Sequence, residues 1–153
     1  MKILVSACLL GENCKYSGGN NYNQAVCDFA RGHQVVPVCP EILGGLSTPR
    51  CPAEIVQGVV TNKEGINVDR EFRAGAAKAL AIAKENGVEL AILQSRSPSC
   101  GVKEIYDGTF SGTKIPGQGV FAKMLMDEGV RVLDAGELPK IILKNEDGKC
   151  QSN

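Results

Sequence analysis

Along this chain, short runs of consecutive apolar residues alternate with longer stretches whose apolar positions recur at helical spacing, and a glycine closes each of those stretches. Lys2-Ile-Leu-Val5 opens as a strand. Asn23 to Arg31 reads as a helix, Gly32 follows, and Gln34-Val-Val-Pro-Val38 reads as a strand. The same order recurs at Asp69 to Asn86, Gly87 and Glu89-Leu-Ala-Ile-Leu93, and again at Val120 to Glu128, Gly129 and Arg131-Val-Leu133. Glycine adopts the left-handed conformation past a helix end without a Cβ penalty. In the longest helix Phe72, Ala76, Ala79, Leu80 and Ala83 share one face, and Asp69 is placed to cap the N-terminus. Runs that are apolar at every position suit parallel strands covered on both faces. The pattern therefore predicts an α/β fold: a single three-layer, Rossmann-like domain with a mostly parallel sheet. Residues 54–68 depart from it. Ile55-Val56, Val59-Val60-Thr61 and Ile66-Asn-Val68, broken by Gln57-Gly58 and Asn62-Lys-Glu-Gly65, predict a small antiparallel excursion. The domain is expected to span 1–144, followed by a polar C-terminal tail, 145–153.

The length of 153 residues fits that single domain, and 43% hydrophobic residues suffice for its core. Lys+Arg and Asp+Glu are 17 each, so the chain lacks the basic excess of a general nucleic-acid coat. No apolar run is long enough for a membrane span, and the N-terminus has no signal-peptide layout, so a cytoplasmic location is expected. Aromatics are only 5% and tryptophan is absent, which makes stacking platforms scarce. Two long segments, Leu9 to Asn21 and Pro40 to Ala53, are expected loops. They are rich in cysteine, glycine and proline, as functional loops are, and poor in the charge typical of disorder.

Cysteine changes the picture most. The chain has seven, at positions 8, 14, 27, 39, 51, 100 and 150, an odd count without any Cys-x-x-Cys pair. That is neither a disulfide framework nor a zinc ribbon. The single histidine, His33, sits in a polar turn and is expected to be solvated. Cys27 falls on a helical apolar face and reads as core, and Cys150 lies in the polar tail. Cys8, Cys39 and Cys100 differ from these. Each follows an apolar strand, next to glycine, proline or serine. In a parallel sheet the carboxyl ends share one edge, where ligands bind. The three thiols are therefore expected to converge, either as small buried hydrophobes or as a shared site. Three thiolates leave several occupants open. Zinc lacks a fourth ligand here, cuprous ion suits soft sulfur, and a 4Fe-4S cluster held by three cysteines keeps one iron open as a Lewis acid.

Several blocks carry a resemblance: Ser6-Ala-Cys-Leu-Leu-Gly11, Cys14-Lys-Tyr16, Pro37-Val-Cys-Pro-Glu41, Gly44-Gly-Leu46, Pro49-Arg50 with Pro52-Ala-Glu54, Ser97-Pro-Ser-Cys-Gly101, and Tyr106-Asp-Gly-Thr-Phe110 with Gly117-x-Gly119. Together, from the N-terminus to about Val132, they resemble the family of unknown function 523 (DUF523), whose characterised members are thiouracil desulfidases. The resemblance implies a 4Fe-4S cluster on Cys8, Cys39 and Cys100, with one open iron. It also implies non-redox removal of sulfur from thiolated pyrimidines, with release of hydrogen sulfide. It maps the acidic catalytic residue to Glu41 and the catalytic serine to Ser97. The implied substrate is a small thiolated base or nucleotide; thiolated tRNA occurs in the family, but the charge balance here does not support it.

The residues agree with that chemistry. Glu41, two positions past Cys39, can take a proton from attacking water. Ser97 has no histidine to activate it, so it serves as a relay or substrate hydrogen bond, with Ser99 as the alternate bearer. Cys14 is expected beside the cluster loop without ligating, and Cys51 is expected to be incidental. Arg50 and Arg96 are candidate phosphate partners or carboxylate partners. Exposed amides at Gly117-Gln-Gly119 are a weaker phosphate candidate than a plain turn. Two other classes compete with the desulfidase: a cysteine-based redox or sulfur-carrier protein, and a zinc-binding module.

Overall fold

The computed structural model describes residues 1–138. Residues 139–153 lie outside the described residues, and with them the end of the expected domain, the tail at 145–153 and Cys150. Four parallel strands form the central sheet: β1 (Lys2–Ser6), β2 (Gln34–Val38), β5 (Leu90–Leu93) and β8 (Arg131–Asp134). Their spatial order is β2-β1-β5-β8, in continuous parallel register. Every β5 residue and all but the first of β1 are buried. That is why the two central strands read as unbroken apolar runs.

Alternate residues of these strands enter opposite layers. Ile3, Val5, Leu90 and Ile92 pack with Val26 and Ala30 of α1 (Gln24–Ala30) and with Leu9, Ala135 and Leu138. Leu4, Ala91 and Leu93 pack with Phe72, Ala76, Ala79 and Ala83 of α3 (Asp69–Glu85) and with Phe121, Ala122 and Leu125 of α4 (Val120–Asp127). The expected three layers are present. Gly32, Gly87 and Gly129 follow their helices with φ of 94°, 63° and 81°, the left-handed ends expected there.

Four expectations need correction. Asp69 does not cap α3. It is the first helical residue, and its carboxylate accepts from the Val60 N–H at 3.0 Å and from Arg73 Nε at 2.7 Å, tying the helix start to the hairpin. That hairpin is β3 (Ala53–Val56) and β4 (Val59–Asn62), antiparallel as predicted. Ile66-Asn-Val68 is not a third strand. The Asn62 side chain accepts from the Glu64 and Ile66 N–H groups and curls the chain, leaving a single bridge from Asn67 to Thr61. A short helix, α2 (Pro40–Leu43), occupies the start of the second expected loop, and a 3-10 turn at Ala7–Leu10 runs into the start of the first. A second hairpin, β6 (Glu104–Tyr106) with β7 (Lys114–Pro116), was not expected, because three-residue strands carry too little alternation to be read.

One close contact fixes α2. Gly44 at its end and Gly75 inside α3 face each other so closely that a Cβ on Gly75 would fall 1.8 Å from the Pro40 carbonyl oxygen. A Cβ on Gly44 would fall 2.0 Å from the Glu71 carbonyl oxygen. The mid-helix glycine forgoes about 1 kcal/mol of helix propensity relative to alanine. In return the two backbones can touch.

Gly75→Ala should therefore destabilise the protein despite its better propensity, by about 1–3 kcal/mol, the usual cost of overpacking. Urea unfolding measures this. An unchanged or raised midpoint would show that the contact is not tight.

Candidate active site

The carboxyl edge of the sheet carries the three strand-end cysteines, at the point where the chain leaves β2 and crosses to β5 on the far side of β1. Cys8 lies in the 3-10 turn after β1. Cys39 is the residue preceding α2, with Pro40 preset for the first helical position. Cys100 lies in the Ser97–Gly101 turn after β5. That turn is clamped on α4: the Val120 N–H donates to Pro98 O, and the Phe121 and Ala122 N–H groups donate to Ser99 O, at 2.8–3.1 Å. A Cβ on Gly119 would lie 2.5 Å from the Ser99 carbonyl carbon. The Gly117-Gln-Gly119 segment thus makes a close packing contact, and the first amides of α4 are spent on the cysteine turn, not open to a phosphate.

Cys8, Cys39 and Cys100 all line one cavity of about 410 Å³, together with Cys14, Glu41 and Ser97. The volume is that of an ordinary small-molecule site. Cys8 and Cys100 are 9% and 4% exposed. The Cys14 thiol lies between Cys8 and Cys39 and has one proton to give to either of them, which raises its own pKa and favours the thiolate of the partner it serves. Against the opposing effect of burial, this holds Cys39 down at about 7, and Cys8 is lowered as well. The Asn21 side chain adds a donor to Cys8 Sγ at 3.4 Å. Cys100 is pushed up to about 12 by burial, partly offset by a hydrogen bond from Ser6. Among the described residues no three His, Cys, Asp or Glu side chains converge closely enough for one metal ion.

Glu41 is no surface residue. Its Oε1 accepts from Arg50 Nε at 3.0 Å and Nη2 at 2.8 Å, and the two side chains are 14% and 9% exposed. Arg50 spends its other N–H groups on Ser47 O, Thr48 Oγ1 and Cys14 O, at 2.8–3.1 Å. Every guanidinium nitrogen therefore has a partner. Arg50 is therefore the carboxylate partner, and its phosphate role is removed. Glu41 Oε2 accepts from Ser99 Oγ at 2.8 Å, and Ser99 Oγ lies 2.9 Å from Ser97 Oγ. Ser97 Oγ already accepts from the Ser99 and Cys100 N–H groups at 3.0 and 2.9 Å. With the Ser99 proton committed to Glu41, the hydroxyl hydrogen bonds run in one direction, from Ser97 to Ser99 to Glu41.

The remaining expected residues separate cleanly. Arg96 lines the cavity, and among the described residues its guanidinium has no hydrogen-bond or ion-pair partner. Cys27 is half-buried and donates to Leu9 O at 3.8 Å, away from the cavity. Cys51 is half-buried and does not line the cavity. His33 is not a freely solvated turn residue. It packs on the Phe29 ring at 5.0 Å, near the opposite edge of the sheet. Sequence reasoning passed over the aromatic rings of the cavity, Tyr16, Tyr106 and Phe110. Their low overall number concealed their concentration at one place.

Three comparisons agree on kinship. The family model described as 2-thiouracil desulfurase matches residues 3–137. A Bacillus subtilis (strain 168) protein, the uncharacterised YbbK, is 43% identical over 150 residues, covering 92% of this chain and 99% of its own. The solved structure of the 4Fe-4S-dependent thiouracil desulfidase TudS superposes with a TM-score of 0.84 at 38% identity, covering 94% of this chain and 96% of that one. With the match extending from β1 through β8 and every element that carries a cavity cysteine inside it, the chain belongs to the 2-thiouracil desulfurase family.

Proposed function

We propose that this protein is a 4Fe-4S-dependent desulfidase that converts the thiocarbonyl of a thiolated pyrimidine into a carbonyl, consuming water and releasing hydrogen sulfide. The observation that carries the reading is the Ser97–Ser99–Glu41 hydrogen-bond chain bordering the cavity that Cys8, Cys39 and Cys100 line. A zinc store or a persulfide carrier has no use for such a chain. In this reading Cys8, Cys39 and Cys100 would hold the cluster, and Cys14 stays a protonated thiol beside Cys8 and Cys39. Bound there, the cluster would supply Lewis-acid chemistry suited to a soft thiocarbonyl sulfur.

The chain supplies the proton handling. Arg50 engages Glu41 Oε1 through a hydrogen bond from Nε and an ion pair with Nη2. Oε2 keeps one lone pair after Ser99, and it is the atom that would take a proton from the attacking water. The Ser97 hydroxyl, its oxygen held by two backbone N–H groups, turns its proton between Ser99 and the polar edge of the pyrimidine. Removing one buried partner of the Glu41–Arg50 pair would leave an uncompensated charge, so the pair also keeps the carboxylate in place. Among the described residues no helix is long and apolar enough to cross a membrane.

For the finer substrate, the cavity offers two cations without side-chain partners among the described residues, Arg96 and Lys63. They favour a nucleotide over the free base, because a phosphate would find charge-assisted donors there. Neither makes the extended basic face that tRNA requires.

Anaerobic reconstitution of the wild type should yield a brown protein with comparable iron and sulfide. Alanine at Cys8, Cys39 or Cys100 should abolish stable binding, whereas Cys27→Ala and Cys51→Ala should keep their iron. Equal iron loss from all five variants, or zinc without sulfide, would remove the three-cysteine cluster.

Cluster-replete Glu41→Gln should lose roughly a hundred- to ten-thousand-fold of its sulfide-release rate, the span of general base catalysis. Ser97→Ala should fall less. Near wild-type turnover by Glu41→Gln would place the base elsewhere.

With a thiolated uridine 5′-monophosphate, the KM should lie below that of the free base, and Arg96→Ala should erase most of the difference. A preference that survives Arg96→Ala and Lys63→Ala together would show that the phosphate is not bound by these cations.

A further inference from the structure

Seven aromatic rings are few for 153 residues, and their distribution is uneven. Phe72 and Phe121 are core, and Phe29 packs on His33. Tyr22 is exposed and hydrogen-bonds Gln24. The other three, Tyr16, Tyr106 and Phe110, all line the cysteine cavity. Phe110 stands out among them by its backbone. Its φ is 57°, the left-handed region that a bulky side chain rarely adopts. Strain of this kind persists only where the surroundings over-determine it, and such sites cluster at ligand contacts.

The surroundings do over-determine it. Phe110 lies in the loop joining β6 to β7, over the β3–β4 hairpin. Glu54 of β3 turns its carboxylate into that loop, and Oε1 accepts from the Gly108 N–H at 2.9 Å and the Phe110 N–H at 3.1 Å. Gly108, at φ 93°, comes so near β3 that a Cβ would fall 2.7 Å from the Ile55 carbonyl oxygen. The Asp107 N–H closes the loop by donating to Thr113 O at 2.9 Å. A carboxylate, a glycine and a loop-closing bond thus hold in a strained backbone a phenylalanine that is only half-buried and lines the cavity. A ring needed only for the core would be fully buried and would not need this restraint.

We infer that Phe110 is a substrate-binding residue whose ring stacks on the flat heterocycle of the substrate, and that Glu54 is the positioning residue that holds the ring there. This rests on the desulfidase reading and names what recognises the planar part of that substrate. A phenyl ring offers dispersion and a π face without hydrogen-bond direction. It therefore selects for planarity and leaves the choice of edge groups to Ser97 and its neighbours.

The test uses the cluster-loaded protein with Phe110→Leu, Phe110→Tyr and Glu54→Ala. Leucine keeps the apolar bulk but not the flat face, and tyrosine keeps both. KM and kcat are measured with 2-thiouracil, and affinity for uracil, the oxo product, is measured by calorimetry alongside iron and sulfide content. Phe110→Leu should raise both the KM and the uracil Kd roughly ten-fold or more, within the range for loss of one base–aromatic stack. The kcat should move far less, the iron should stay, and Phe110→Tyr should return to within a few-fold of wild type. Glu54→Ala should shift KM and Kd in the same direction as Phe110→Leu. Unchanged KM and Kd in Phe110→Leu would overturn the inference, as would equal losses of iron and kcat in the leucine and tyrosine variants. Failure of the desulfidase reading looks different: the wild type itself would release no sulfide from any thiolated pyrimidine, while calorimetry with uracil would still report on Phe110.

Discussion

A buried guanidinium organises the cavity. Arg50 reaches α2 through Glu41, the first loop through the Cys14 carbonyl, and its own loop through Ser47 and Thr48. Withdrawing an ion pair this far from water carries a desolvation penalty that attraction alone does not always offset. Here the penalty is met by a partner at every guanidinium nitrogen. The arrangement orients one carboxylate oxygen toward Arg50 and the other toward Ser99, so the direction of the whole serine chain follows from where a single cation sits. It also brings the Cys14 carbonyl, on which Cys39 Sγ leans at 3.8 Å, into the same network.

The sheet supplies the rest of the placement. Parallel strands deliver their loops to one edge, so residues 8, 39 and 100 meet without any local sequence relation. Fine positioning then falls to close backbone contacts. Gly75 admits α2, which carries Glu41 and follows Cys39, and Gly119 admits the turn that carries Cys100. In both places the missing side chain lets a helix reach the backbone of the element that bears a site residue. The cavity's precision therefore depends on where atoms are absent as much as on where they are present.

What could be read from the sequence divides along physical lines. The two central strands, β1 and β5, were legible because burial on both faces removes polar residues from them, and the helix ends because glycine marks a left-handed turn. The convergence of Cys8, Cys39 and Cys100 followed from topology. The partners of Glu41 did not, since Arg50 is nine residues away and Ser99 fifty-eight, and no periodicity links such positions. The β6–β7 hairpin was too short to show alternation. Asp69 was read as a cap on local grounds, but a tertiary contact to Val60 claims its carboxylate. Phe110 was hidden for a different reason: composition reports how many rings exist, and only the fold reports where they gather.

The bonds from Val120, Phe121 and Ala122 to Pro98 and Ser99 join the Cys100 turn to the first turn of α4. Those amides cannot exchange with solvent while the turn is in place, so the helix start and the cysteine turn open as one cooperative unit. Amide hydrogen exchange at these three positions becomes a reporter for Cys100 that needs no probe on the cysteine. Because α4 also packs on α3 and β8, a disturbance of the turn reaches the core on the α3–α4 side of the sheet, remote from the α1 layer.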